Sequence, residues 1–578
     1  MIRSLRFFSI FAFLIIAGCT TDVQQKQADF HINIRLPNEP DNLHPMFSRS
    51  AYATQIENLI LYPLAEFDPF SLELSPLIIE TVPKGQFQSG GPYDGQFRYD
   101  LKIREEATWE DGVPITAQDY LFSLKAAFNP KVNAPNWRAY FHDMKTVELD
   151  PEDAKKLSVY LDGKNMLSDL IVVNFNIFPK HIYDPEGLME HLTLDEIRNP
   201  SNQDSLLMYH PELEKFATAF SGVQYNREII SGAGPYKMVE WVTGESITLE
   251  KKENWWGEKV ANRPRMMNGF PQRIKYSFVP DENTALTAMK DGSFDVISEV
   301  SSDAFLDLKN DPKYAEVFNF FTPSVMQYHY LELNNRNPKL SDVRVRKALA
   351  YLLDYDALIE NLTSGLSMKT IGPIHPSKVY YNQNIQPIKQ DIEKSKQLLT
   401  EAGWTDTNGN GTVDKVIDGQ LTELDLSVIV SQRREGQQLA LILKQNAAQV
   451  GINILIENRP LGQAIRNRDF EIVPMRRRSN PFVYDPHQAW HSMSDQPGGG
   501  NYTGYRDAEA DKIIEAINDE ENAEKRNELY RELQAELIHD QPVIFLYVPL
   551  EKVIVNKRLK AQPSARRPGY FENLFELN

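Results

Sequence analysis

Residues 473–492 read VPMRRRSNPFVYDPHQAWHS and concentrate side chains that can bind or ionise. Three consecutive arginines fill positions 476–478 in a chain whose formal net charge is −18. A guanidinium group binds a carboxylate or a phosphate through paired hydrogen bonds. The pattern predicts a strand, in which Arg477 faces opposite to Arg476 and Arg478 because side chains alternate. Two interpretations stay open: at least one arginine holds a ligand anion, or the three form structural ion pairs.

The same stretch carries a metal-type pattern. His487 and His491 are spaced i, i+4, which places them on one face if the segment is helical. Two imidazoles on one face can bind a transition metal. Two ligands alone are a weak signal, however, and ordinary surface or cleft histidines are the commoner case. We therefore predict no metal site, with His487 and His491 as the weak candidates for one.

The segment DTNGNGTVDK, residues 406–415, is similar to the start of an EF-hand loop. Asp406, Asn408, Asn410 and Gly411 occupy loop positions 1, 3, 5 and 6, but position 12 is Ile417 instead of a bidentate Glu. An Asn-Gly-rich hairpin turn explains the same residues. The pattern thus favours a turn over a calcium site.

The chain lacks the short motifs that would support catalysis. It has no Gly-x-x-x-x-Gly-Lys-Ser/Thr loop, no Gly-x-Gly-x-x-Gly turn, no Gly-x-Ser-x-Gly elbow and no His-Glu-x-x-His helix. Its one cysteine is Cys19, so the body has no thiol nucleophile. The acidic balance repels a phosphate backbone, which argues against nucleic-acid binding. We predict a protein that is not an enzyme and carries no cofactor.

The N-terminus has the parts of an export signal. Arg3 and Arg6 precede an apolar run of eleven residues, 7–17, and a bilayer-spanning helix needs about 20. The run ends at Ile16-Ala17-Gly18-Cys19, which resembles the lipobox of bacterial lipoproteins. We predict a signal peptide over 1–18, lipidation at Cys19 and a polar tether over 19–29, hence an exported, membrane-anchored protein in the periplasm or its equivalent. The alternative is an ordinary signal peptide with an incidental cysteine.

The body alternates strand and helix patterns, which predicts an α/β protein. FHINIRL, FRYDLKIRE and QPVIFLYV have strand patterns, and GAGPYKMVEWVTGESITLEK predicts a strand, a turn and a strand. Thr116 is a good N-cap, with Asp119 in the N3 position of a capping box. A final long helix is predicted over DKIIEAINDEENAEKRNELYRELQAELIHD.

Several segments in order resemble the family 5 extracellular solute-binding proteins, the receptors of bacterial peptide and nickel ABC importers. The segments include LKIREEATWEDGVPITAQDYLFSL, FPKHIYD, GAGPYKMVEW, DENTALTAMKDGSFDV, LNNRNPKLSDVRVRKALAYLLD and NYTGYRDAEADKII. The resemblance runs from about residue 30 to 550 and depends on the order of the segments, since none is decisive alone.

The resemblance implies a type II periplasmic-binding fold of two lobes plus a third domain. Domain I would be discontinuous, over 28–72, 215–318 and 543–578, domain II would be an insertion over 73–214, and domain III would cover 319–542. A ligand would lie in the cleft between domains I and III, enclosed when the lobes close. The implied partners are a small solute, an ABC permease with its ATPase, and the membrane through the lipid on Cys19, with the receptor itself a monomer.

The resemblance also implies which residues line the cleft. One lining segment follows Leu43-His44-Pro45, where His44 replaces the family's Asp. The second lies around Asp485-Pro486. The implied ligand-binding residues are Arg49, Ser50, Ala51, Arg478, Ser479, Asn480, Phe482, Tyr484, Asp485, His487, Trp490, Asn501 and Tyr502.

One departure from the family bears on the ligand. Peptide-binding relatives place an Asp three residues before the acidic position at 485, to hold the ligand's ammonium, and here that residue is Phe482. The usual Trp upstream is replaced by Ser479. A peptide stays the default ligand, with nickel chelates, oligosaccharides and other anionic small organic molecules as alternatives. A sensory or scaffold lipoprotein of the same fold and a secreted hydrolase are the competing classes.

Overall fold

The computed structural model describes residues 30–198, 203–431, 433–480, 484–496, 498–520 and 522–578. The predicted signal peptide, the tether, Cys19 and Phe482 lie outside these residues. The chain forms two compact units. Unit 1 comprises residues up to 300, with 307–321 and 552–578, and unit 2 comprises 301–306 and 322–551.

Unit 1 is organised by a seven-stranded sheet of order β12-β21-β11-β1-β10-β9-β8. A four-stranded sheet, β4-β5-β7-β6, and two two-stranded sheets complete the unit. Its strands are β1 (His31–Leu36), β2 (Ala65–Phe67), β3 (Leu74–Pro76), β4 (Gln86–Phe87), β5 (Phe97–Lys102), β6 (Met144–Leu149), β7 (Lys156–Leu161), β8 (Tyr236–Val242), β9 (Ser246–Lys251), β10 (Arg273–Phe278), β11 (Val296–Ser298), β12 (Phe318–Phe321), β21 (Val553–Asn556), β22 (Leu559–Lys560) and β23 (Glu576–Leu577).

The helices of unit 1 cover these sheets. They are α1 (Ala51–Ile60), α2 (Ala117–Phe128), α3 (Pro135–Tyr140), α4 (Ser168–Val173), α5 (Lys180–Tyr183), α6 (Leu194–Arg198), α7 (Gln203–Tyr209), α8 (Glu212–Phe220), α9 (Glu282–Lys290) and α11 (Pro312–Ala315). A further helix, α10 (Ser302–Asn310), begins in unit 2 and ends in unit 1. In β1, the side chains of Ile32 and Ile34 are fully buried, so the predicted alternating strand is confirmed.

Unit 2 is built on a six-stranded sheet of order β14-β20-β13-β19-β17-β18. β17 runs parallel to β18 and β19, whereas β13 is antiparallel to β19 and β20. The strands of the unit are β13 (Gln327–Leu333), β14 (Ser367–Lys369), β15 (Asp414–Ile417), β16 (Gln420–Glu423), β17 (Asp425–Val430), β18 (Asn453–Asn458), β19 (Ile472–Arg478) and β20 (Val543–Pro549).

The helices of unit 2 pack against that sheet through a core of Leu, Val, Ala and Ile side chains. The helices are α12 (Val343–Tyr351), α13 (Tyr355–Thr363), α14 (Ile392–Glu401), α15 (Arg434–Ala448), α16 (Leu461–Asn467), α17 (His487–Trp490), α18 (Ala508–Asp519) and α19 (Ala523–Asp540). Six of the seven residues of β20 are buried. A strand buried on both faces reads as a continuous apolar run, which is why QPVIFLYV could be recognised.

The local predictions are confirmed at one helix start and corrected at another. The Asp119 carboxylate accepts the Thr116 backbone N–H at 2.8 Å, as the capping box predicts. The prediction of one long final helix is wrong, because the structure has two helices, α18 and α19, separated by residues 520–522. The Asn522 side chain accepts the N–H groups of Glu524 and Lys525. This new N-cap starts a second helix instead of continuing the first.

The predicted α/β class is confirmed by these two units. Residues 543–551, which the sequence analysis assigned to domain I, belong to unit 2. The finer division into three domains stays a prediction. No helix among the described residues is long and apolar enough to cross a bilayer.

Unit 1 buries a carboxyl group whose titration can be measured. Glu57 in α1 is 3% exposed, and its Oε1 atom has no hydrogen-bond partner. Burial raises the pKa of Glu57 to about 8, and the charge on Asp41 adds to the effect. The folded state therefore holds a proton that the unfolded state loses near the ordinary value of 4.5.

We expect Glu57→Gln to remove a pH-dependent part of the stability. A raised pKa gives stability that is complete below about pH 4.5 and is lost as the pH rises through about 8. As the pH rises from 5 to 8.5, the stability of the variant should therefore increase by about 3–4 kcal/mol relative to that of the wild type. Urea unfolding at both pH values measures this, with Glu80→Gln at an exposed position as the control. An equal pH dependence in the wild type and Glu57→Gln would contradict a protonated Glu57.

Candidate ligand-binding site

A pocket of about 230 Å³ opens at one edge of the unit 2 sheet. β17 and β19 are parallel, so their carboxyl ends meet at the same edge, and α15 begins directly after β17. Open α/β sheets bind ligands at this edge. The pocket is lined by His329, Tyr330, Val430, Ser431, Arg433, Glu435, Gly436, Leu439, Leu461, Pro474, Met475, Arg476, Leu546 and Tyr547.

The polar side of the pocket is arranged for an anion. Arg433 and Arg476 supply two guanidinium groups against the single carboxylate of Glu435. Arg433 is also the N-cap position of α15 and makes no side-chain cap hydrogen bond, so the first-turn N–H groups keep their partial positive charge. These groups together favour a carboxylate or phosphate in the pocket.

His329 contributes a neutral imidazole to the pocket. Burial, together with the charges of Arg476 and Arg433, lowers its pKa to about 4. Its ring stacks on Tyr547 with 4.7 Å between ring centroids. A neutral imidazole can donate or accept a hydrogen bond without adding charge. The remaining lining is apolar, so the pocket suits an anionic group attached to an apolar body.

The three arginines of β19 have three different environments. Arg476 is exposed and lines the pocket, Arg477 is half-buried on the other face, and Arg478 is exposed. The predicted alternation is therefore confirmed. Arg478, which the sequence analysis placed nearest the ligand, does not line the pocket, and its guanidinium has no hydrogen bond or ion pair to any residue that the structure describes.

Arg477 is part of a buried polar network. Its Nη2 donates to the Gly500 carbonyl at 3.1 Å. Burial opposes its charge, but Tyr328, Tyr330 and Glu332 outweigh the burial and raise the pKa of Arg477. Glu332 is 3% exposed and accepts the Tyr330 hydroxyl at 3.0 Å. Arg477 thus makes structural contacts within unit 2, and the choice between the two interpretations of the arginines stays open.

The residues after β19 connect the strand to the rest of unit 2. The Ser479 hydroxyl donates to the Pro373 carbonyl at 3.2 Å, and Asn480 is exposed.

Tyr484 and Trp490 are buried together, since the indole N–H donates to the Tyr484 hydroxyl at 2.5 Å. Asp485 is exposed and accepts the His487 backbone N–H at 2.9 Å. For Tyr484 and Trp490, these contacts are those of core residues.

Asn501 is fully buried, and its amide is saturated within unit 2. It donates to the carbonyls of His491 and Tyr505 and accepts from Thr503 and Gly504.

The segment before Asn501 is held by Asp495, which is paired with Arg336, Arg468 and Arg506. Tyr502 is half-buried against the apolar cluster that contains Phe470. Ligand contacts by Asn501 and Tyr502 stay a prediction.

The two histidines stack on each other. Their ring centroids are 4.3 Å apart at 15°, and His491 is buried. His491 Nδ1 accepts the Met493 N–H at 3.1 Å, and its Nε2 lies 3.4 Å from Glu515. The described residues include one close group of three ligating side chains, and it does not contain these histidines.

The Asp406 loop adopts a closed turn. The Asp406 carboxylate accepts the backbone N–H groups of Gly409 and Gly411 at 2.7 Å and 3.0 Å. Asp414 accepts from the backbone and hydroxyl of Thr407. The acidic oxygens are thus used by the loop itself, as an Asx-type turn requires. These contacts favour the predicted turn interpretation.

The first predicted lining segment belongs to unit 1. Arg49 and Ala51 are exposed, and the Ser50 hydroxyl caps α1 by accepting the Tyr52 N–H. His44 replaces the acidic residue of the resemblance without losing the turn, because its Nδ1 accepts the Met46 N–H at 3.3 Å. Burial lowers the pKa of His44 to about 3, which keeps the imidazole neutral beside Phe47 and Phe178.

Sequence reasoning missed most of the pocket. Arg433 carried a usable signal, since it follows a strand and directly precedes a helix, at a strand's carboxyl end. His329 and Tyr547 come from β13 and β20, which are neighbours only through sheet pairing. Their pairing depends on tertiary structure and left no local pattern to read.

Comparison with known proteins settles the family. The model of "Bacterial extracellular solute-binding proteins, family 5 Middle" matches residues 92–501. The chain belongs to this family. The suspected resemblance is therefore confirmed, and with it the α/β periplasmic-binding fold.

Two relatives illustrate the ligands found in the family. The oligopeptide-binding protein AppA of Bacillus subtilis is 26% identical over 534 residues, which cover 90% of this solute-binding protein and 87% of AppA. The nickel-binding periplasmic protein of Escherichia coli is 27% identical over 345 residues, covering 56% and 60% of the two chains. A crystal structure of NikA from Brucella suis in complex with Fe(III)-EDTA superposes with a TM-score of 0.71 at 18% identity, covering 95% of this chain and 100% of NikA.

Family membership fixes the class of activity. Members are the solute-binding components of ABC importers and not enzymes, which confirms the predicted absence of catalysis. Family 5 proteins act outside the cytoplasm. This solute-binding protein therefore needs no nucleophile or general base, and its chemistry is the recognition of a solute.

Proposed function

We propose that this solute-binding protein captures short peptides and that the peptide's carboxylate is held between Arg433 and Arg476. The observation that carries the proposal is the pocket itself, with two guanidinium groups, a helix N-terminus and a neutral imidazole around an apolar cavity. Every free peptide offers a carboxylate attached to side chains of varied size. The AppA relative supports the ligand class.

An anionic metal chelate is the second candidate. The nickel-binding relative supports it, and chelators that carry carboxylates fit two arginines as well as a peptide terminus does. The replacement of the family's acidic clamp by Phe482 removes the group that would hold a peptide ammonium. Ligand analysis separates the two candidates, because a chelate carries a metal and a peptide does not.

The membrane attachment belongs to the same proposal. We infer that the mature chain starts at Cys19, carries a lipid there and works as a monomeric receptor for a permease and its ATPase. The lipobox-like sequence Ile16-Ala17-Gly18-Cys19 supports the lipid. The polar segment that follows supplies the length for a tether.

Native mass spectrometry of protein purified without denaturation tests the bound solute, the monomeric state and the lipid on Cys19. We expect one small solute per chain, a monomer mass, and a mature N-terminus whose mass includes a diacylglycerol on Cys19. A peptide mass supports the first candidate, and a metal isotope pattern supports the second. A chain that starts elsewhere than Cys19 contradicts the anchor. Protein that retains no solute and takes up neither peptides nor nickel chelates contradicts the proposed receptor.

A further inference from the structure

The C-terminal end of α19 carries three side chains with metal-ligating atoms on one face. Glu536, His539 and Asp540 have the spacing i, i+3, i+4, which brings side chains together on a helix. One ligand atom from each lies within 4.8 Å of the others. His539 Nδ1 is 3.0 Å from Asp540 Oδ1 and 4.0 Å from Glu536 Oε1. One imidazole nitrogen thus faces two carboxylates.

These separations match those of ligand atoms around a divalent transition cation. Bonds of about 2.1 Å in a tetrahedral site place neighbouring ligand atoms about 3.3 Å apart. The observed 3.0 Å and 4.0 Å lie on either side of this value. The His539 side chain is 71% exposed. A mixed nitrogen and oxygen donor set suits zinc or nickel better than calcium or magnesium.

Contacts around the three residues hold part of the site in place. The Tyr505 hydroxyl donates to Asp540 Oδ2 at 2.8 Å, which leaves Oδ1 directed toward His539. Arg346 donates to the Asp540 carbonyl through Nη2 at 2.6 Å. Hydrogen bonds of this kind orient the ligands of known metal sites. The Asp540 carboxylate is therefore fixed before any cation arrives.

The surrounding charge favours a cation. The carboxylates of Asp540 and Asp507 lie near the Glu536 carboxylate. Glu509 adds to this negative potential, whereas His539 opposes it. A divalent cation would relieve the repulsion between these carboxylates.

We propose that Glu536, His539 and Asp540 bind a divalent transition cation of the zinc and nickel kind, with water completing the coordination. The site is separate from the pocket residues at the edge of the sheet. All three ligands belong to α19, so the cation would hold together the last turn of this helix, just before β20 enters the sheet. The cation would thereby stabilise unit 2 and leave the solute pocket unchanged.

Calorimetric titration of the purified protein with zinc chloride and with nickel chloride tests this proposal. We expect saturable binding of one cation per chain, accompanied by a rise in the unfolding temperature. His539→Ala and Glu536→Gln should lose this binding, and both positions are exposed enough for the variants to fold. Tyr505→Phe should weaken binding about tenfold, since it frees the Asp540 carboxylate.

Two controls make the result specific. His142 and Asp143 form an exposed pair with 3.2 Å between Nδ1 and Oδ1, and they are not part of a group of three ligands among the described residues. His142→Ala should therefore bind the cation as the wild type does. The proposal is overturned if the wild type binds no cation, or if the binding survives in His539→Ala. Binding that survives there and disappears in His487→Ala would place the site at the stacked histidine pair instead.

Discussion

Replacing Arg477 by Met is expected to lower the free energy of unfolding of unit 2 by about 1–3 kcal/mol. The change leaves the Glu332 carboxylate, 3% exposed, without the cation that offsets its burial. It also removes the hydrogen bond to the Gly500 carbonyl. Removing a charge that acts on a buried polar group leaves the burial of that group less compensated, which costs more than the interaction itself contributes.

Arg478→Met is the matched control for this prediction. It makes the same side-chain change one residue along the same strand, at an exposed position, and should alter the stability by about 0.5 kcal/mol or less. Hydrogen exchange of the backbone amides in β13 and β19 reports unit 2 separately from unit 1. A second change, Glu332→Leu, should recover part of the loss in the Arg477→Met background. Equal losses for the two arginine variants would contradict the buried network.

Replacing both Arg433 and Arg476 by Ala is expected to weaken solute binding about 100-fold or more. Each charge-assisted hydrogen bond to a carboxylate contributes roughly 1.5–3 kcal/mol, and a factor of ten corresponds to about 1.4 kcal/mol. Both side chains are exposed at the rim of the pocket, so the fold should tolerate their loss. Calorimetric titration with the solute recovered from the native protein measures the affinity.

Arg478→Ala again supplies the control for the binding measurement. Its side chain does not line the pocket, so the affinity should stay within about twofold of the wild type. An affinity that falls with Arg478 and is unchanged by the pocket double variant would move the anion site to the position that the sequence analysis favoured. High salt should also weaken binding to the wild type, because exposed charges are screened.

The sequence predicted the class of the fold and the behaviour of β19 because both depend on local patterns. Alternation along a strand separates Arg477 from its neighbours whatever the sheet around it. Capping is also local, as Thr116 and Asp119 show. Asn522 is a local signal of the same kind. Asn is favoured at N-cap positions, so this residue could have predicted the break between α18 and α19.

The pocket could not be predicted in the same way, because its residues meet through strand pairing and helix packing. His329 lies opposite Arg476 across the β13–β19 pair, and Tyr547 comes from β20 on the other side of β13. Arg476 and Arg478 share one face of β19, so choosing between them required knowing how far along the strand the pocket lies, which depends on tertiary packing. The family resemblance compensated for this at the level of function, since it rests on the order of many segments and not on any one contact.

Competitive native mass spectrometry tests the proposed receptor most directly. The protein, freed of any bound solute, is mixed with synthetic peptides and with the same peptides bearing C-terminal amides. We predict that each chain retains one peptide with a free carboxylate, that the amides are excluded, and that every peptide is recovered uncleaved. Equal retention of acids and amides, or no retention of peptide, would contradict a peptide receptor whose pocket holds an anion between Arg433 and Arg476.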